Sequence, residues 1–250
     1  DEVLRVRSDS GVQLTARTDD NGSDVALKLR ASTFTFQGGA SMELDANSRI
    51  SLSNNDSGGT GGADSTSGNT ILGYLAANAI SSGDVNNTII GHKAATLLDD
   101  GDANVVIGTG AMDATTAASR NIAIGRSAMG GGNNTSGQTI AIGYDALAAI
   151  TSGGENLALG YSAMTAMTTG AANIAIGHST MDALNHADAD ANIALGNGAL
   201  GGAGAVALHS CVAIGHNAMD AAATAGAVGS IAIGRDALGA LTSGIENIAI

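Results

Sequence analysis

Three histidines, His92, His178 and His216, each stand directly after a glycine. Imidazole is the commonest metal ligand, and three copies brought together about a trimer axis could hold a transition metal. The same slot is filled elsewhere by Tyr74, Tyr144, Tyr161, Arg126, Arg235, Thr109 and Asn197. A position that accepts all of these asks for a polar or amphipathic side chain, and no metal is expected there. Two turns, Asp100-Gly101-Asp102-Ala103-Asn104 and Asp188-Ala189-Asp190-Ala191-Asn192, put oxygen ligands at alternate positions, as a hard cation requires. Neither carries the glycine and distant glutamate of a calcium loop, since Ala111 and Ala199 take the last place. Solvated turns are expected.

Other residues that could do chemistry fare no better. His209, Ser210 and Cys211 are adjacent, and neighbours on a strand point to opposite faces. A buried thiol is the expectation for Cys211. Gly196 to Gly201 reads G-N-G-A-L-G, the literal dinucleotide fingerprint, but a phosphate site needs a helix to follow, and GAGAVALHS follows instead. No carboxylate pair stands out for glycoside cleavage. The expectation is no catalytic residue, no cofactor, no metal and no enzyme.

The elements that carry these residues repeat. From residue 69 a phrase recurs: Asn, three apolar residues, Gly, two variable residues, then Ala and Leu or Met. Clear copies are NIAIGRSAM (121–129), NLALGYSAM (156–164), NIALGNGAL (192–200) and CVAIGHNAM (211–219). The corner glycines are Gly73, Gly91, Gly108, Gly125, Gly143, Gly160, Gly177, Gly196, Gly215 and Gly234, spaced 17 to 19 residues apart. A fixed period of this size signals a solenoid. It is too short for a helix pair, and three apolar residues bounded by Gly and turn residues read as a short strand.

Ile or Leu one and three residues before each glycine share a face, because side chains alternate along a strand. These pairs (Ile122 and Ile124, Ile140 and Ile142, Leu157 and Leu159, Ile174 and Ile176) are expected inside. The residue between them, Ala123, Ala141, Ala158, Ala175, Ala194, Ala213 or Ala232, is then expected outside, as a smooth apolar stripe facing sister chains of a homotrimer. Asn87, Asn104, Asn121, Asn156, Asn173 and Asn192 open their phrases and should form a structural ladder from coil to coil. Thr139, Cys211 and Ser230 interrupt it.

Composition agrees with a thin, regular interior. There are 37 glycines, no proline or tryptophan, and only 2% aromatic residues, against 44% hydrophobic residues overall. Small and β-branched side chains fill narrow cores, whereas aromatic residues fill irregular ones. Net charge is −13. Residues 1–50 hold six of the ten basic residues and eight acids, which leaves −11 on the remainder. No basic stripe is available to replace phosphate counterions, so nucleic acid is not expected as a partner. No apolar run approaches the ~20 residues that span a bilayer, and membrane insertion is not expected. The single cysteine leaves no internal disulfide framework.

Residues 1–53 differ. VLRVRSDSGVQLTART, DVALKLRAS and SRISLSN alternate apolar with polar residues and predict a β-rich region with one wet face. Residues 54–68, rich in Gly, Ser and Asn, predict a linker, and residues 69–250 the repeat domain. The expected fold is all-β, a parallel β-roll or β-helix solenoid of about ten 17–19-residue coils, in an intertwined or side-by-side homotrimer. Ile250 falls inside a strand-forming phrase without a polar cap, so the natural protein is expected to continue.

The NIAIGxxAM phrase resembles the head repeats of trimeric autotransporter adhesins, left-handed parallel β-rolls in a trimer. DANSRISLSNNDSG (45–58), GNTILGYLA (68–76) and TSGGENLALGYSAM (151–164) look more like tail-fibre and appendage proteins of bacteriophages. That resemblance covers roughly residues 45–250 and implies a structural, host-attachment fibre of a virion. Its implied partners are sister chains, other virion tail proteins and a host surface receptor, with a glycan as one option. A bacterial cell-surface adhesin and a polysaccharide-depolymerising tailspike are the alternatives.

Overall fold

The structure is a computed structural model, and it describes residues 68–250 other than 82, 136, 205–206, 221–226 and 242–243. The expected β-rich region at 1–53 and all of the expected linker but Gly68 lie outside the described residues.

Strands are short because each is one arm of a tight coil. They run β1 (Thr70–Leu72), β2 (Thr88–Ile90), β3 (Val105–Ile107), β4 (Ile122–Ile124), β5 (Ile140–Ile142), β6 (Leu157–Leu159), β7 (Ile174–Ile176), β8 (Ile193–Leu195), β9 (Val212–Ile214), β10 (Ile231–Ile233) and β11 (Ile248–Ala249). All eleven form one sheet in chain order, each parallel to the next. Parallel neighbours need a connection that returns to the same side, and here the rest of each coil supplies it. The chain is therefore an all-β parallel solenoid with a period near 18 residues. Register is in step at every rung: Ile122 pairs with Ile140, Ala123 with Ala141 and Ile124 with Ile142. Among the described residues the one helical element is a 3-10 turn, Gly201–Ala203.

Each strand ends at a phrase glycine. From Gly73 to Gly234 these glycines have φ between 125° and 143°, a region that residues with a Cβ rarely enter. Space is a second constraint. A Cβ on Gly160 would collide with the carbonyl oxygen of Gly177 one rung on.

Beyond the glycine the backbone alternates between extended and left-handed conformations. In the coil around Gly160, Glu155, Ser162 and Met164 have φ of 59°, 53° and 53°. Non-glycine residues resist this region, so the surroundings must hold them in it. Hydrogen bonds between rungs do so. Ser162 N donates to Tyr144 O at 2.8 Å on one side, and Met164 N donates to Thr180 O at 2.9 Å on the other. The left-handed residue also breaks strand alternation, so that consecutive Ala163 and Met164 both point inward and are fully buried.

The interior reverses the orientation expected from sequence. Ala123, Ala141, Ala158, Ala175, Ala194, Ala213 and Ala232 are all 0% exposed and belong to the core. They do not form an outer, trimer-facing stripe. Flanking residues such as Ile122, Ile124, Ile140 and Ile142 are half-buried and point outward. The reason is volume. Met112, Met129, Leu147, Met164, Met181, Leu200 and Met219 enter the same thin cross-section from the opposite wall, joined by Leu98, Ile150, Met167 and Leu184. With long side chains already filling it, close packing leaves room for only a methyl group from most strand centres. Ile71 and Ile89 take that place in the first two coils, where Ala77 and Ala95 stand in the methionine column, and Val106 in the third, which it shares with Met112.

Candidate functional site

The asparagine column is built from the backbone outward. Asn87, Asn104, Asn121, Asn156, Asn173 and Asn192 are buried at the inner corner where each strand begins. Asn104 N and Nδ2 donate to Asn87 Oδ1 at 2.9 and 3.0 Å, and Nδ2 also reaches Ala118 O at 2.8 Å. Asn192 repeats the pattern on Asn173 Oδ1, at 3.0 Å from both donors, and on Leu208 O at 2.8 Å. Where two phrase asparagines follow one another, the amide thus joins its own rung to the one before and satisfies a carbonyl of its own coil. No side-chain valence of this column is directed at solvent, and its role is structural.

The substitutions behave differently from one another. Thr139 N donates to Asn121 Oδ1 at 3.0 Å, but the buried Thr139 Oγ1 has no hydrogen-bond partner. The link from Thr139 to Asn156 is therefore missing. Cys211 keeps the link backward through N to Asn192 Oδ1 at 3.0 Å, and its thiol donates to Ala227 O at 3.1 Å. Burial pushes that thiol above its ordinary pKa, which disfavours the reactive thiolate. His209 and Ser210 are exposed, and the triplet does not assemble into a nucleophile and base.

The carboxylates of the Asp-rich turns bond to backbone amides of the preceding coil. Asp102 Oδ1 accepts from Val85 N at 2.8 Å, and Asp190 Oδ1 from Ala171 N at 2.7 Å. Buried Asp84 accepts from Ser81 N and Gly101 N, each at 2.6 Å. Among the described residues no group of three or more His, Cys, Asp or Glu is placed to hold a metal ion. Asp182 and Asp220 stand on either side of Gly201, two rungs apart. Burial, aided by the Asp220 charge, raises the Asp182 carboxyl above its ordinary 3.8. A shallow polar groove of about 410 Å³ lies elsewhere, lined by Asp100, Ser119, Arg120, Thr135 and Gln138 among others.

The slot after each phrase glycine forms an exposed column along one edge. Tyr144 stacks on Tyr161 and Tyr161 on His178, with ring centroids 5.0 Å apart and planes inclined by 6° in both cases. The Arg126 guanidinium lies over the Tyr144 ring, 5.4 Å from its centroid. Tyr74 and His92 stack at 5.5 Å.

No protein family, curated protein or solved structure matches this chain.

Three features of the described residues bear on function: a closed interior, a ring-and-cation edge, and an apolar outer sheet face. The last was missed from sequence because large apolar residues were assigned to the interior. Ten three-residue strands present two outward positions each, and eighteen of these twenty are Ile, Leu or Val, the exceptions being Thr70 and Thr88. Leu72, Leu159 and Ile233 are 44%, 40% and 36% exposed in the single chain. The signal that could have oriented the strand was the Met and Leu column, which already supplies the core with bulk.

Proposed function

We propose that this chain is a structural, non-enzymatic segment of a trimeric bacteriophage tail fibre or appendage, a stiff rod that presents a host receptor-binding tip. The observation that carries the reading is the continuous outer ladder of Ile, Leu and Val. Ten rungs at about 4.8 Å each make it about 48 Å long. Single exposed apolar residues are ordinary, but a strip of this length in water calls for a partner. Successive rungs are in register and chemically alike, so the strip is the same at every height and fits a copy of itself running parallel. Threefold rotation about a shared axis closes such a contact without leaving a free strip.

Support for a mechanical role comes from the interior. The asparagine column and the closely stacked glycine corners leave little freedom for one rung to shift against the next. Recognition on such a scaffold belongs to its turns, and the variable stretches 130–137 and 185–190 are the places where it would reside. The resemblance to phage fibre sequences favours a virion over a bacterial surface adhesin. Antibodies raised against this chain test the assignment by electron microscopy. Decoration of virion tails is the expected result, and decoration confined to bacterial envelopes would replace it with the adhesin reading.

A further inference from the structure

We infer that the exposed column running from Arg126 to Arg235 binds a linear anionic polysaccharide laid along the rod axis. This rests on the fibre reading above and names the ligand class for one of its surfaces. Between residues 68 and 250 there are thirteen acids and four Lys or Arg. Arg126 and Arg235 are both in this column, together with His178 and His216, and no acid occupies it at any rung. Two of the four Lys and Arg residues of this span, and two of its imidazoles, are thus gathered on one edge of an acidic rod. Exposed charges are screened within about 8 Å at physiological ionic strength, so a bound chain responds to this edge more than to the net charge.

Geometry narrows the class of ligand. Arg126 covers one face of Tyr144, Tyr161 covers the other, and Tyr161 is itself enclosed between Tyr144 and His178. Both faces of Tyr144 and of Tyr161 are therefore taken, and their hydroxyl edges are what these rings offer to solvent. Tyr161 is 51% exposed by this edge. A neutral sugar that relies on stacking finds no free face, and neither does a nucleobase. Hydroxyl and carboxylate oxygens, by contrast, meet a row of donors. Arg126 and Arg235 are separated by six rungs, about 29 Å at the spacing of stacked strands. An extended pyranose chain advances by a similar length per sugar as one rung does, so a uronate polymer can keep register with the donors. The competing acids are Asp145, one residue past Tyr144, and Asp236, which lies 3.4 Å from Arg235 Nε on an exposed pair. An exposed pair of this kind holds its arginine weakly and leaves it open to exchange.

The experiment measures binding of the full chain to immobilised polygalacturonate and to neutral dextran. Wild type should bind the polyuronate and pass over dextran. Arg126→Gln combined with Arg235→Gln should weaken polyuronate binding at least tenfold. Tyr144→Phe with Tyr161→Phe, which keeps both rings stacked, should also weaken it. Arg120→Gln, off the column, should not. Equal binding of wild type and the double arginine variant would overturn the proposal, and so would an equal loss in Arg120→Gln or no polyuronate binding by wild type. Light scattering on the same samples reports the trimer separately, so failure of the glycan site and failure of the rod are told apart.

Discussion

Asn173 bonds twice to Asn156 one rung earlier, through its backbone N at 3.0 Å and its side-chain Nδ2 at 3.2 Å, both to the same Oδ1. Asn173 Oδ1 in turn accepts two bonds from Asn192, and Nδ2 also serves Ala189 O at 2.7 Å. Replacing it with Ala strands buried donors and acceptors on three segments. Asn173→Ala should cost on the order of 3 kcal/mol, since each buried polar group left without a partner costs about 1–3 kcal/mol. Urea unfolding followed by circular dichroism measures it.

Thr139 offers the opposite test. Its Oγ1 is buried without a hydrogen bond, so Thr139→Val should be neutral or stabilising. Thr139→Asn restores the missing link to Asn156 and should stabilise by about 1 kcal/mol, the net worth of an ordinary hydrogen bond. Loss of stability in both variants would contradict the ladder's role.

Two glycines should respond to very different degrees. Gly160→Ala drives a methyl group into the Gly177 carbonyl and should prevent folding of the central rungs. Gly229, at φ 68°, stands where Ala103, Ala172 and Ala191 hold φ of 57°, 57° and 56° in other coils. Its nearest obstacle is Glu246 Cγ at 3.5 Å, an ordinary contact. Gly229→Ala should still fold but with a lower thermal midpoint, because an alanine held in the left-handed region costs about 1–2 kcal/mol even where its methyl group meets no clash.

Asp182 predicts a pH dependence. Its folded-state pKa lies above the ordinary 3.8, chiefly through burial. A carboxyl raised in this way favours the folded state fully below pH 3.8, and that contribution is lost as pH rises through the folded value. Asp182→Asn should therefore raise the melting temperature at pH 7 and lose that advantage as pH falls below 3.8. An advantage that grew on acidification would contradict the assigned direction.

Much of this molecule could be read from its sequence because the repeat imposes the period directly. Gly125, Gly143 and Gly160 recur where every coil must turn, and Asn104, Asn121 and Asn156 where every strand must begin. The facing of the strand could not be read the same way. Alternation says that Ile122 and Ile124 oppose Ala123, but it does not say which side is inside. That choice depends on what the far wall contributes, and Met129 and Leu147 fill the space that the isoleucines were expected to take. Ring stacking was hidden for a related reason. Arg126, Tyr144, Tyr161 and His178 look like four unrelated residues along the chain, and only the in-register stacking of rungs brings their planar groups into one column.

The outer Ile, Leu and Val ladder as the contact between three parallel chains is the claim on which the fibre depends. Multi-angle light scattering on the purified chain tests it, with Ile124→Lys and Ile142→Lys together as the comparison. These side chains point outward, so the variant should keep its circular dichroism spectrum. Wild type should scatter with three times the mass of one chain and the variant with the mass of one. A wild-type chain that remains a folded monomer across the micromolar range would contradict the account.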